Sequence, residues 1–141
     1  MNDSGVFEDR WVDLEVVGEQ CVFLKGLQHL QLPVAHAEGK LVADNKTSVL
    51  ALEDSGMVAL RYRCEDSSAG GCENGYPQNP NGSWNHIAGL CDVTGRVLGL
   101  MPHPERHIDR LQNPRWTRRY EGTVEGQGLV IFQNAVRYWK H

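Results

Sequence analysis

No stretch of this 141-residue sequence approaches the roughly 18 consecutive apolar residues that a membrane-crossing helix requires. The N-terminus has neither the basic start nor the apolar core of an export signal, so the chain reads as cytoplasmic. Its four cysteines, Cys21, Cys64, Cys72 and Cys91, form no C-x-x-C pair, which removes zinc ribbons and thioredoxin-like redox sites. Reduced thiols are expected in that compartment; a Cys64 to Cys72 bridge would need an oxidising one. No G-x-x-x-x-G-K-[ST] loop is available to cradle phosphates. A net charge of -4 leaves no basic footprint for nucleic acid, and the mixed-sign segment from Arg106 to Arg119 reads as a solvated surface or a subunit contact. Internal repeats and low-complexity linkers are also missing. The remainder, 40% hydrophobic and 23% charged, is the balance of one ordinary globular domain.

Against that background one stretch carries chemistry. Met101-Pro102-His103-Pro104-Glu105-Arg106 follows the apolar run Val97-Leu98-Gly99-Leu100. Each proline fixes its own φ and restricts the residue before it, which predicts a stiff, non-helical segment. In extended geometry alternate side chains share a face, so His103 and Glu105 point the same way and Arg106 points away as a structural residue. A carboxylate on one imidazole nitrogen fixes the tautomer and stabilises the imidazolium, leaving the other nitrogen to take a proton from a nucleophile.

Around this stretch the pattern alternates between strand and turn. Val12, Leu14 and Val16 predict a half-buried strand, and Cys21 to Leu24 a short extended piece. An apolar strand at Leu30 to Ala35, a loop His36-Ala37-Glu38-Gly39 and a further strand at Lys40 to Ala43 follow. Asp44-Asn45 offers a cap for a helix ending at Ser55-Gly56. Val58, Leu60 and Tyr62 predict a strand with one wet face, and the glycine-rich segment from Glu65 to Gln78 a long loop of functional or mobile character. Two strands come next, Ile87 to Leu90 and Val97 to Leu100, joined by the Asp92-Val93-Thr94-Gly95 turn. Leu129, Phe132, Val136 and Trp139 recur at helical spacing after Gly128 and predict a closing amphipathic helix whose stripe packs into the core. Strands with a few helices imply part of an α/β sheet with sites at strand ends.

Four segments occur in the order of a known family. Asn2-Asp3-Ser4-Gly5-Val6-Phe7-Glu8-Asp9-Arg10, Leu32-Pro33-Val34-Ala35-His36-Ala37-Glu38-Gly39, Asn79-Pro80-Asn81-Gly82-Ser83 and Pro102-His103-Pro104-Glu105-Arg106 resemble the glutaminase part of phosphoribosylformylglycinamidine synthase, a class I glutamine amidotransferase. The resemblance covers almost the whole chain. It implies the C-terminal part of a flavodoxin-like α/β fold with a mixed sheet and a terminal helix. It further implies glutamine hydrolysis with His103 as base and acid and Glu105 as its orienter, and ammonia delivery to an ATP-dependent synthetase subunit or domain. His36 and Glu38 are the candidates for lining the glutamine pocket. ATP and magnesium belong to the synthetase partner, and this chain holds no cofactor or metal.

In the resembled family the nucleophilic cysteine sits in a G-x-C-x-G elbow upstream of the N-x-S segment, which begins here at Asn2. Residues 1-141 therefore read as one partial domain, inactive alone and in need of an N-terminal glutaminase segment. None of the four cysteines has the elbow's flanking glycines with the required strand and helix. Without the upstream units, marginal stability or self-association is expected. Two other classes remain open. His36, Glu38, His103, Glu105 and His107 could form a metal-dependent hydrolase, although Pro104 prevents the helical spacing usual for zinc hydrolases. A non-catalytic docking fragment is the third reading.

Overall fold

Alternation along residues 8-16 builds the strand around which the others assemble. In the computed structural model, which describes residues 1-63, 75-118 and 124-140, β1 spans Glu8–Val16, four residues earlier than its apolar pattern predicts. It pairs along its length with β2, His29–His36, and with β3, Val58–Tyr62, on its other side. β4, Ile87–Cys91, and β5, Leu98–Leu100, complete a sheet of order β2-β1-β3-β4-β5. With the helices α1, Lys46–Asp54, and α2, Leu129–Trp139, this is the expected α/β class. All four pairings are antiparallel, so the mixture of strand directions that was expected does not occur in the described sheet. The β4–β5 connection, residues 92-97, is a short turn, and adjacent strands joined by short turns run antiparallel.

Val12, Leu14, Leu30, Leu32, Val34, Leu60 and Ile131 close the main core, and Val49, Val58 and Ile87 form a second cluster under α1. The cap of α1 is as expected: the Asn45 side chain accepts from the Ser48 amide at 2.9 Å. At the β4–β5 turn, Asp92 accepts from the Thr94 hydroxyl at 2.6 Å and from the Val97 and Arg96 amides, each at 2.9 Å. These donors hold its carboxyl down to about 2. The hairpin that delivers the Pro102 loop is thereby fixed.

Three expectations fail for identifiable reasons. Residues Val22–Leu24 form a 3-10 turn, because the Leu24 amide bonds back to the Cys21 carbonyl at 3.1 Å. The segment from Lys40 to Ala43 is not a strand; its Leu41 amide is taken by the Ser83 hydroxyl at 2.9 Å. The α2 stripe is turned outward, with Phe132, Val136 and Trp139 43%, 51% and 63% exposed, while Ile131 and Asn134 are buried. Asn134 sets that rotation: its amide donates to the Phe23 and Lys25 carbonyls at 3.0 and 2.9 Å, capping the 3-10 turn. Cys64, Cys72 and residues 65-74 of the expected long loop lie outside the described residues.

Candidate active site

The Pro102 loop docks along the outer side of β2. The His103 amide donates to the Pro33 carbonyl at 2.8 Å, and His107 Nδ1 meets the Gln31 carbonyl at 2.8 Å. Gln127 Oε1 accepts from the Gln31 amide at 2.7 Å. His107 also lies edge-on to Trp11, with ring centres 4.9 Å apart. These bonds hold both ends of the loop. Between them His103 keeps an extended backbone, but Pro104–Arg106 turn into one 3-10 turn, which corrects the expectation of a non-helical segment. Proline is tolerated at a first helical position because its missing N–H has no partner to lose there.

The expected pair still forms across that turn. His103 Nδ1 lies 2.8 Å from Glu105 Oε1, and Nε2 has no hydrogen-bond partner among the described residues. Partial burial pushes the Glu105 carboxyl up. Its own backbone hydrogen bond, the His103 imidazole and the charges of His103 and Arg106 outweigh that and hold it below the ordinary carboxylate value. The side chains of His103 and Glu105 are 29% and 57% exposed, so the pair faces outward from a buried support. Arg106 is exposed.

His36 and Glu38 part company. His36 is buried, whereas Glu38 is exposed on the rim of a cavity of about 350 Å³ that Lys40, Gly89 and Met101 also line. Gly39 between them is a close approach: a Cβ there would lie 2.7 Å from His36 Cγ and 2.8 Å from Met101 Sδ. Burial pushes the His36 imidazole below its ordinary value; a backbone hydrogen bond and the Glu8 carboxylate oppose this, and the nearby His103 reinforces it. Among the described residues no three His, Cys, Asp or Glu side chains gather as a metal site. With His107 committed to β2 and Trp11, nothing in the geometry favours the metal-hydrolase reading.

Sequence reasoning missed the polar hub beneath the site. Asn81, fully buried, donates to the Gly39 carbonyl at 2.7 Å and to the Tyr62 hydroxyl at 3.2 Å, and its Oδ1 accepts from the Ser83 amide at 3.0 Å. Asn2 donates to the His36 carbonyl at 2.8 Å, and its own amide reaches the Ala37 carbonyl at 2.8 Å. Gly82, at φ +73, passes so close to Asp3 that a Cβ would overlap its carboxylate. Three of the four family segments thus converge on the loop that carries His36. The signal in the sequence was their joint occurrence, without any indication that they touch.

Two histidines make the fold sensitive to acid. Burial lowers His36, as above, and lowers His86 with help from the Arg61 charge. A histidine kept neutral by the fold binds protons less readily than in the unfolded chain. Stability is therefore complete above the ordinary histidine value of 6.5 and is lost as the pH falls from 6.5 through the lowered folded-state values. Urea midpoints measured on either side of that value are expected to fall on the acid side. His36→Gln and His86→Gln, compared at both pH values, are each expected to flatten the dependence.

Two described cysteines are poor nucleophiles. Cys21 and Cys91 are buried side by side, and burial together with the Cys21 contact pushes the Cys91 thiol up to about 12. No helix among the described residues is long and apolar enough to cross a membrane.

Comparison with known proteins adds the context. A family model described as a CobB/CobQ-like glutamine amidotransferase domain matches residues 1–139. A phosphoribosylformylglycinamidine synthase subunit PurQ from Methanococcus maripaludis is 36% identical, the match covering 98% of this chain and 54% of that protein. PurQ from Dehalococcoides mccartyi is 44% identical over 97% of this chain and 51% of its own length. A solved structure, PurLQS from Thermotoga maritima, superposes with a TM-score of 0.63 at 28% identity, covering 98% of this chain and 50% of that one. The chain spans about half the length of the curated relatives it matches.

Proposed function

Because the chain belongs to the CobB/CobQ-like glutamine amidotransferase family, we propose that it forms part of the glutaminase of phosphoribosylformylglycinamidine synthase and releases ammonia from glutamine. The observation that carries this reading is the 2.8 Å contact between His103 Nδ1 and Glu105 Oε1 on a loop pinned to β2, with the other imidazole nitrogen unoccupied. In the reaction His103 Nε2 takes the proton of a cysteine thiol, and the thiolate attacks the glutamine carboxamide carbon. The imidazolium, stabilised by Glu105, gives that proton to the departing nitrogen, so ammonia leaves and a thioester remains. Water, deprotonated by the same imidazole, then releases glutamate.

The thiol comes from an N-terminal glutaminase segment with a G-x-C-x-G elbow, so these residues form a partial domain, inactive alone. The raised Cys91 thiol and the burial of Cys21 support this. Glutamine lies against the His36 loop, and Glu38, at the rim of the adjoining cavity, is suited to its α-ammonium group. The names of the relatives, a synthase subunit and the PurLQS assembly, support a synthetase partner of the same pathway. ATP and magnesium act there, and the assembly is cytoplasmic.

Glutamine-dependent ammonia release, measured for the chain alone and mixed with an elbow-bearing segment, tests the proposal. Release only from the mixture is expected. Release from the chain alone would overturn the origin of the thiol, and none from a mixture shown to associate would favour a non-catalytic docking role.

A further inference from the structure

Beside the His103 pair lies a second polar cluster, placed by the pairing of β1 with β2. Their register sets Glu8 opposite His36, and both are buried, 2% and 6% exposed. Facing residues of an antiparallel pair share a side of the sheet, with Cβ atoms about 5 Å apart. Asn2 decides which imidazole nitrogen carries the proton. Its Nδ2 donates to the Val6 and His36 carbonyls, each at 2.8 Å, so its Oδ1 must accept. His36 Nδ1, 3.0 Å from that oxygen, is therefore the N–H, and Nε2 holds a lone pair.

Glu8 spends Oε2 on the Arg10 guanidinium, whose Nη2 lies at 2.5 Å. That leaves Glu8 Oε1 and His36 Nε2 buried without a partner among the described residues, and with them the Arg10 Nε donor. Neither acceptor can satisfy the other in this tautomer. Buried polar groups are almost always paired, and each unpaired one costs about 1–3 kcal/mol. A single molecule with two hydrogens to give and one lone pair to receive matches all three atoms. The burial of Glu8 and His36 calls for a small occupant.

We propose that Glu8, His36 and Arg10 form a binding site for the ammonia released at His103, an inference that rests on the glutaminase reading above. Ammonia donates to Glu8 Oε1 and His36 Nε2 and accepts from Arg10 Nε. Water shares this chemistry and occupies the site between turnovers. The loop that carries His103 is tied to the same strand as His36, its His103 amide donating to the Pro33 carbonyl at 2.8 Å.

The test is a titration of the histidine-labelled chain with ammonium chloride at alkaline pH, where a substantial part is present as neutral ammonia, against potassium chloride at equal ionic strength and pH, following the His36 Nε2 resonance. A saturable shift with ammonium and none with potassium is expected. Glu8→Gln should weaken it about tenfold, through loss of one charge-assisted hydrogen bond. Absence of the shift in the unsubstituted chain overturns the proposal whether or not the variant folds. A crystal structure gives two further outcomes against it: resident water without an ammonium response, or Arg10 Nε closed directly onto Glu8 Oε1. The readout is binding, so its failure is distinguishable from failure of the ammonia-release assay.

Discussion

His103→Ala is expected to lower glutamine hydrolysis by the reconstituted enzyme about a thousandfold, within the range that a general base contributes. The loss should fall on kcat, since in the proposed mechanism His103 handles protons only as bonds change. Glu105→Gln keeps an oxygen for Nδ1 but removes the charge that stabilises the imidazolium. About a hundredfold loss is expected there, smaller because the amide still orients the ring. Both side chains are partly exposed, so thermal melts of the two variants should match that of the unsubstituted chain. Steady-state rates with saturating glutamine would check this. A His103→Ala enzyme within tenfold of the unsubstituted rate would remove the imidazole from the mechanism.

The largest stability effect is expected at Asn81. Truncation to alanine strips the donor from the Gly39 carbonyl and the Tyr62 hydroxyl in a place that solvent does not reach, since Asn81 is 0% exposed, while the Ser83 amide keeps Asn79 Oδ1 at 3.1 Å. Each buried orphan costs about 1–3 kcal/mol, which together gives roughly 3 kcal/mol. Denaturant unfolding should register this as a lower midpoint with an unchanged slope. Activity should suffer as well, because the Gly39 carbonyl anchors the loop carrying His36 and Glu38. Asn81→Asp discriminates further: it sets a carboxylate oxygen in place of the amide donor, against the Gly39 carbonyl, so at neutral pH it should destabilise at least as much as alanine.

Much of the fold could be read from spacing. The strands around Leu14 and Leu60 follow from strict alternation, and α1 from its Asn45 cap, because these signals depend on neighbours within a turn or two of chain. The α2 stripe misled for the opposite reason. Its apolar spacing is real, but the helix orientation is set by Asn134 reaching carbonyls at Phe23 and Lys25, over a hundred residues away in sequence. The 3-10 turn after His103 was equally hidden, since proline restricts the residue before it while permitting a turn to start at itself.

The candidate site divides in the same way. His103 and Glu105 were legible because both partners of the contact lie within three residues and prolines narrow their options. His36 was marked by its segment, but its burial opposite Glu8 depends on strand register, which no local pattern states. Asn79, Asn81 and Ser83 were marked in the sequence only as one of the four family segments. Only the fold shows them as an interior hub.

The support of the Pro102 loop also fixes when the site can exist during folding. Its contacts with Gln31 join residues 76 positions apart for His107 and 96 for Gln127. Such long-range closures carry a large loop entropy and form late, after local hairpins have gathered the intervening chain. The imidazole at 103 is therefore aimed only once β2 is in place and the chain has returned to it from the far end. A nascent or half-collapsed chain has His103 and Glu105 in sequence but no edge to hold them, and in a glutaminase that ordering would withhold catalysis until folding is complete.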